Sequence, residues 1–215
     1  MWRLGPVRRG PEAGRTTALG LGLPLAAGMR VGLFGGSFNP VHGGHLQVAR
    51  TAKARLGLDR VIWLVTPGNP LKAPPGDLAG RVAAVRQAIG DPAMIASDVE
   101  ARAGTRFSID TLRVLQARYP GVHFVWIMGA DNLASFHRWR GWAEIMRRVP
   151  VAVIARPGSM MKALSSPAAR RFAHARVSSA KARRLAVRTP PAWVFLATPL
   201  NYASSTALRS RAVVG

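Results

Sequence analysis

Gly35-Gly36-Ser37-Phe38-Asn39-Pro40-Val41-His42-Gly43-Gly44-His45 is the stretch on which the reading of this 215-residue chain turns. It follows the apolar run Val31-Gly32-Leu33-Phe34 and precedes Leu46 to Leu56, where Leu46, Ala49, Ala52 and Leu56 recur at near-helical spacing. A buried strand, a glycine turn and a helix, in that order, form the kind of loop in which α/β proteins hold nucleotides. Its glycines let backbone N–H groups approach phosphate oxygens, and the helix behind it contributes a positive N-terminal end. Neither the G-x-G-x-x-G of a dinucleotide fold nor the G-K-[ST] ending of a P-loop is present, so both of those readings fail.

His42 and His45 lie three residues apart around the helix start, close enough to face one ligand. Imidazoles can donate hydrogen bonds to a phosphate whose negative charge grows during transfer. The pair could also be half a metal site, or ordinary turn residues. No H-E-x-x-H follows, and His123, His137 and His174 lack ligand-like companions, so no metal ligand is assigned.

Outward from the loop the pattern alternates. Val61 to Val65 reads as a strand covered on both faces and stopped by Thr66-Pro67-Gly68. Asp77 can cap a helix with apolar Leu78, Val82, Val85 and Ile89, ended by Gly90. Met94 to Val99 reads as a strand, and Ser108 as the cap of a helix carrying Ile109, Leu112 and Leu115. Val122 to Met128 is expected as a strand, Trp139 to Arg148 as a helix and Val151 to Ala155 as a strand. Ala163 to Ala175 then reads as a basic helix, Trp193 to Leu196 as a strand and Ser204 to Arg211 as a last helix. Such alternation gives a doubly wound, mainly parallel α/β sheet in a single domain of residues 29–215. Residues 1–28 are expected to be a disordered extension preceding that domain. Arg3, Arg8, Arg9 and Arg15 before Ala18 to Ala27 imitate a signal peptide, but Gly20, Gly22 and Pro24 break the apolar run, and Met29 stands where a compact domain would start.

Composition narrows the function class. Forty-eight per cent of the residues are hydrophobic, which supplies a core and rules out global disorder. No uninterrupted apolar run is long enough for a transmembrane helix. The absence of cysteine excludes disulfides, thiolate nucleophiles and Cys-ligated zinc, leaving a cytoplasmic enzyme or a nucleic-acid binder. The formal charge is +22, and no Asp or Glu follows Glu144, so an anionic partner is expected and nonspecific polyanion binding has room.

Several stations carry a resemblance to a known family. Gly36-Ser37-Phe38-Asn39-Pro40 followed by His42-x-Gly44-His45 resembles the signature of the nucleotidyltransferase superfamily, specifically the nicotinate mononucleotide adenylyltransferases. The resemblance runs through most of residues 30–211. It includes the loop Pro67 to Lys72, Phe107-Ser108-x-x-Thr111-Leu112, Gly129-Ala130-Asp131-Asn132 with Trp139 after it, Arg156-Pro157-Gly158, and Ser204-Ser205-Thr206-Ala207-Leu208-Arg209.

The family resemblance implies a Rossmann-like fold and AMP transfer from ATP to nicotinate mononucleotide, with Mg²⁺ bridging the triphosphate. It assigns Gly35, Gly36, Ser37, Phe38, His42, His45, Ser204, Ser205, Thr206 and Arg209 to ATP, with His42 and His45 at the transition state. Lys72, Ser108, Asp131, Trp139 and Arg156 go to the acceptor. Read without the family, Asp131 can accept from sugar hydroxyls or cap the helix from Leu133, Trp139 can stack on a pyridine or fill the core, and Lys72 and Arg156 can be solvated charges. The rivals are a related transferase acting on nicotinamide mononucleotide, phosphopantetheine or glycerol phosphate, and a basic nucleic-acid-binding module. The last lacks an RNA motif and any interleaving of charge with aromatics.

Overall fold

The computed structural model describes residues 21–68, 76–155 and 160–198. Among these, seven strands form one sheet in which every pairing is parallel: β1 (Arg30–Gly36), β2 (Arg60–Val65), β3 (Met94–Ser97), β4 (His123–Gly129), β5 (Val151–Ala155), β6 (Arg176–Val177) and β7 (Trp193–Ala197). The spatial order is β3-β2-β1-β4-β5-β7-β6. The chain thus walks outward from β1 to β3, then returns to the other side of β1 to lay down β4. That reversal opens a crevice beyond the carboxyl ends of β1 and β4.

Alternate residues of each strand enter opposite cores. Val31, Leu33, Ile62, Leu64, Trp126 and Met128 face one layer, whereas Phe34, Val61, Trp63, Val65, Val125 and Ile127 face the other. Both layers are covered, which is why the strands read as continuous apolar runs rather than as alternating ones. Helix α1 (Gly43–Leu56), α2 (Leu78–Ala88) and the 3-10 segment Ser179–Val187 pack on the Phe34 side. On the Val31 side lie α3 (Val99–Arg102), α4 (Ser108–Arg118), α5 (Ala130–Ser135), α6 (Trp142–Arg148), α7 (Met160–Leu164) and α8 (Pro167–Arg171). No helix among the described residues is long and apolar enough to cross a membrane.

Several boundaries differ from the sequence reading, each for a local reason. The helix expected over Ala163 to Ala175 is divided: Ser166 caps a new helix by accepting from the Ala169 N–H, and Pro167 occupies its first turn, where no backbone N–H is needed. The helix expected from Trp139 begins at Trp142, because Trp139 is extended and Gly141 takes φ +67°, a left-handed conformation suited to glycine. Ser108 is the first helical residue of α4 rather than its cap. The cap is Phe107, whose carbonyl accepts from the N–H groups of Asp110 and Thr111. Residues 21–28 are folded onto the body, contrary to the expected extension over 1–28: Leu21 and Leu23 are buried in the Val31-side core, and the Gly28 N–H donates to Gly121 O at 2.8 Å. The helix expected over Ser204 to Arg211 lies outside the described residues.

Candidate active site

The decisive loop leaves β1 at the crevice and enters α1. Its backbone turns at Phe38, the non-glycine residue with positive φ among the described residues (φ +47°). A bulky side chain in that region is strained unless its surroundings enforce it. The enforcement is visible: the Phe38 ring is buried, edge-on to Phe34 at 5.4 Å and to His45 at 5.0 Å, and tilted against Trp63 at 5.0 Å. Gly36 makes room for it, since a Cβ there would lie 3.0 Å from the Phe38 ring.

His42 is the N-cap of α1. Its backbone is extended, and its Nδ1 accepts from the Gly44 N–H at 3.1 Å. With Nδ1 occupied as an acceptor, a neutral His42 carries its proton on Nε2, leaving that nitrogen as the donor. The side chain occupies the position where Ser or Asp usually sits, and so it combines a cap with a second functional edge. The His45 ring stacks on it at 3.7 Å between centroids and 23° between planes. His42 is 8% exposed, so whatever it donates to is met in largely dehydrated surroundings.

Across the crevice β4 ends at Gly129, and α5 follows at once, with Asp131 in its first turn and exposed. A Cβ at Gly129 would collide with the Asp131 carboxylate, so glycine is what lets that side chain fold back over the strand end. Asp131 does not cap a helix running from Leu133: the helix starts at Ala130, with Gly129 at the cap position. Trp139 is half-buried, edge-on to Phe136 at 5.3 Å and to Trp126 at 6.5 Å. Ser108 starts α4, where the first N–H groups have no intrahelical acceptor. Arg140 lies over the neighbouring Phe107 ring at 4.7 Å. Gly35, Gly36, Ser37, Phe38, His42 and His45 therefore stand on the β1 side, and Asp131 on the β4 side. Lys72, Arg156, Ser204, Ser205, Thr206 and Arg209 lie outside the described residues.

A cytidylyltransferase-like family model matches residues 33–211. A protein of Caulobacter sp. (strain K31) named "Probable nicotinate-nucleotide adenylyltransferase" is 65% identical over 189 residues, spanning 87% of this chain and 100% of that one. The chain belongs to the nicotinate-nucleotide adenylyltransferase family. Another relative of the same name, from Methylorubrum extorquens (strain PA1), is 55% identical over 188 residues, covering 85% of this chain and 100% of its own. The fold is also that of the Plasmodium falciparum nicotinic acid mononucleotide adenylyltransferase solved with NaAD, at a TM-score of 0.63 and 14% identity, over 84% of this chain and 82% of that one.

Beside the family's loop sits a polar cluster that the sequence reading did not select. Arg81 of α2 is buried; its Nη1 donates to Ser37 O at 2.9 Å and to Thr66 O at 2.8 Å, and its Nε donates to Asp77 O at 3.2 Å. Glu100 of α3 is also buried and accepts from the Thr111 hydroxyl at 3.2 Å. Burial pushes the Glu100 carboxyl above the usual carboxylate range, and neighbouring hydroxyls only partly offset this. A signal for Arg81 was present: it stands four residues after the capping Asp77 and four before the buried Val85, on the inward stripe of α2.

Electrostatically, the six ion pairs among the described residues all involve residues between Arg30 and Arg148. The cations of residues 160–198, including Arg170, Arg171, Arg183, Arg184 and Arg188, are exposed and have no carboxylate in their own stretch of chain. Their summed field draws anionic ligands toward the protein.

Proposed function

We propose that this chain transfers the adenylyl group of ATP to nicotinate mononucleotide, giving nicotinate adenine dinucleotide and pyrophosphate, a step of NAD synthesis in the cytoplasm. The observation that carries the reading is the stacked His42–His45 pair at the N-terminus of α1, set against the glycine loop in the crevice between β1 and β4. High identity along nearly the whole length of relatives bearing that name supports it.

A 5′-phosphate oxygen of the acceptor attacks the α-phosphorus in line. One P–O bond forms while the bond from the α-phosphorus to the bridging oxygen breaks, and pyrophosphate leaves with the electron pair. No protein nucleophile is required, so the protein supplies orientation and charge stabilisation. His42, through Nε2–H, and His45 donate to phosphate oxygens as their charge grows, while the N–H groups around Gly35, Gly36, Ser37 and Phe38 and the positive end of α1 hold the triphosphate. Mg²⁺ arrives with ATP as part of the substrate; among the described residues no cluster of three His, Asp or Glu is arranged to hold a resident metal. Ser204, Ser205, Thr206 and Arg209 take the remainder of ATP. On the acceptor side, Asp131 receives ribose hydroxyls, Trp139 offers its ring to the pyridine, and Ser108 with the start of α4 faces the carboxylate, with Lys72 and Arg156 as further cations.

Pyrophosphate release measured with MgATP and each of nicotinate mononucleotide, nicotinamide mononucleotide and phosphopantetheine tests the assignment. The largest kcat/KM is expected with the nicotinate. Preference for the amide, or no acceptor-dependent release, overturns it.

A further inference from the structure

We propose that Arg81 is a positioning residue for adenylyl transfer, which locks the Ser37–Phe38 peptide so that the Phe38 N–H is presented to the triphosphate. The inference rests on the ATP-side reading above. In a trans peptide the C=O and the following N–H point in opposite directions. Tying Ser37 O to the Arg81 guanidinium at 2.9 Å therefore aims the Phe38 N–H away from α2. Phe38 is the residue whose φ of +47° strains the turn, and a flip of the preceding peptide is the simplest way to relieve it. Arg81 opposes that flip.

The anchor on the far side is itself fixed. The same Nη1 holds Thr66 O at 2.8 Å, the Thr66 N–H donates to Gly36 O at 3.0 Å, and the Thr66 hydroxyl donates to Gly68 O at 2.9 Å. Ser37 is thereby referenced to the end of β2, one strand away from its own, rather than to a flexible neighbour.

A purely structural role fits Arg81 poorly. Among the described residues it has no carboxylate hydrogen-bonded to it, and its buried Nη2 has no hydrogen-bond partner. Burial pulls its pKa below the ordinary arginine range, with the Asp77 charge opposing the shift. A buried guanidinium without a paired carboxylate bears a desolvation cost that its bonds to neutral carbonyls only partly offset. Its use is then in the loop that it holds.

Steady-state kinetics and urea unfolding of Arg81→Met and Arg81→Lys separate the possibilities. Arg81→Met is expected to lower kcat about 30-fold or more, on the scale of one misaimed backbone donor, with KM for nicotinate mononucleotide within about threefold. Arg81→Lys, whose ammonium can still donate to both carbonyls, is expected to recover at least about tenfold of that loss. A folded Arg81→Met with kcat within about threefold of wild type overturns the proposal, as does a lysine variant no better than the methionine one. Should Arg81→Met fail to fold, Arg81→Gln takes its place under the same thresholds. If the wild-type protein shows no acceptor-dependent pyrophosphate release, it is the functional reading that fails; wild-type turnover with an indifferent Arg81 counts against this inference alone.

Discussion

The imidazoles of His42 and His45 lie face to face, 3.7 Å apart, at the first turn of α1, and the inner nitrogen of His42, Nδ1, is committed to the Gly44 N–H. One side chain thus closes a helix end and offers a donor to the crevice, and the two duties can be separated by substitution.

His42→Ala is expected to lose both. Removing an N-cap costs about 1 kcal/mol of stability, and losing a donor to a charge-developing phosphate lowers kcat roughly 10²-fold. His42→Asn should restore the cap and with it the urea midpoint, leaving kcat low. His45→Ala should lower kcat by a similar factor and also release the edge contact with Phe38. A His42→Asn variant that regains turnover would show that the cap, rather than the donor, is what matters.

A chain beginning at Met29 should be measurably less stable than one beginning at Gly20. Leu21 and Leu23 are buried against the sheet, and full burial of a leucine is worth about 1.5 to 3 kcal/mol as an upper estimate. Equal urea midpoints for the two truncations would show that this strap contributes nothing.

Discrimination between acid and amide should depend more on backbone than on any one side chain. Ser108→Ala is expected to reduce the preference for nicotinate mononucleotide only partly, since the N–H groups at the start of α4 survive. Trp139→Ala should weaken both acceptors by about 1 to 3 kcal/mol, taking base stacking as the analogue. The ratio of kcat/KM values for the two acceptors reads out both variants, and abolition of selectivity in Ser108→Ala would contradict the backbone account.

Stability should fall as pH rises above the ordinary glutamate range, through the contribution of Glu100. Its carboxyl is raised in the folded protein, chiefly by burial, so the native state holds a proton that the unfolded chain releases, and the slope of unfolding free energy with pH is negative until the folded group also ionises. Asp59, held down by the Arg30 backbone N–H, and Asp91, held down by Lys53, act with the opposite sign and at lower pH. Glu100→Gln should remove the negative slope while leaving the acid limb intact, as followed by urea unfolding across pH. An unchanged slope in that variant would exclude Glu100 as its source.

The β1 loop was legible because its chemistry is local: a buried apolar run, glycines and two histidines at a helix start state their arrangement within a dozen residues. The capping of α2 by Asp77 and the limits of β5 were legible for the same reason. Arg81 was not, because an arginine on a helix ordinarily reads as a solvated charge, and the carbonyls that make burial tolerable come from Ser37 and Thr66 on two other segments. Glu100 hides likewise among residues resembling an exposed turn. Ser108 missed the cap position by one residue, because the Phe107 carbonyl, rather than any side chain, starts α4. The contribution of Leu21 and Leu23 could not be read from a glycine-broken apolar run, because the core they join is assembled from strands and helices spread over the chain.

The central position of β1 has a bearing on synthesis at the ribosome. One edge of β1 is met by β2, whose Arg60 pairs with Val31, but the other waits for β4, where His123 pairs with Arg30, some ninety residues later. The interval from the end of β2 at Val65 to the start of β4 at His123, at about 5 to 20 residues per second, is about 3 to 12 s. During it the nascent chain holds a complete βαβ unit whose innermost strand shows a bare, strongly apolar edge, the feature most prone to pairing with another chain. The strand that carries the glycine loop therefore depends, while translation proceeds, on whatever shields that edge until β4 arrives.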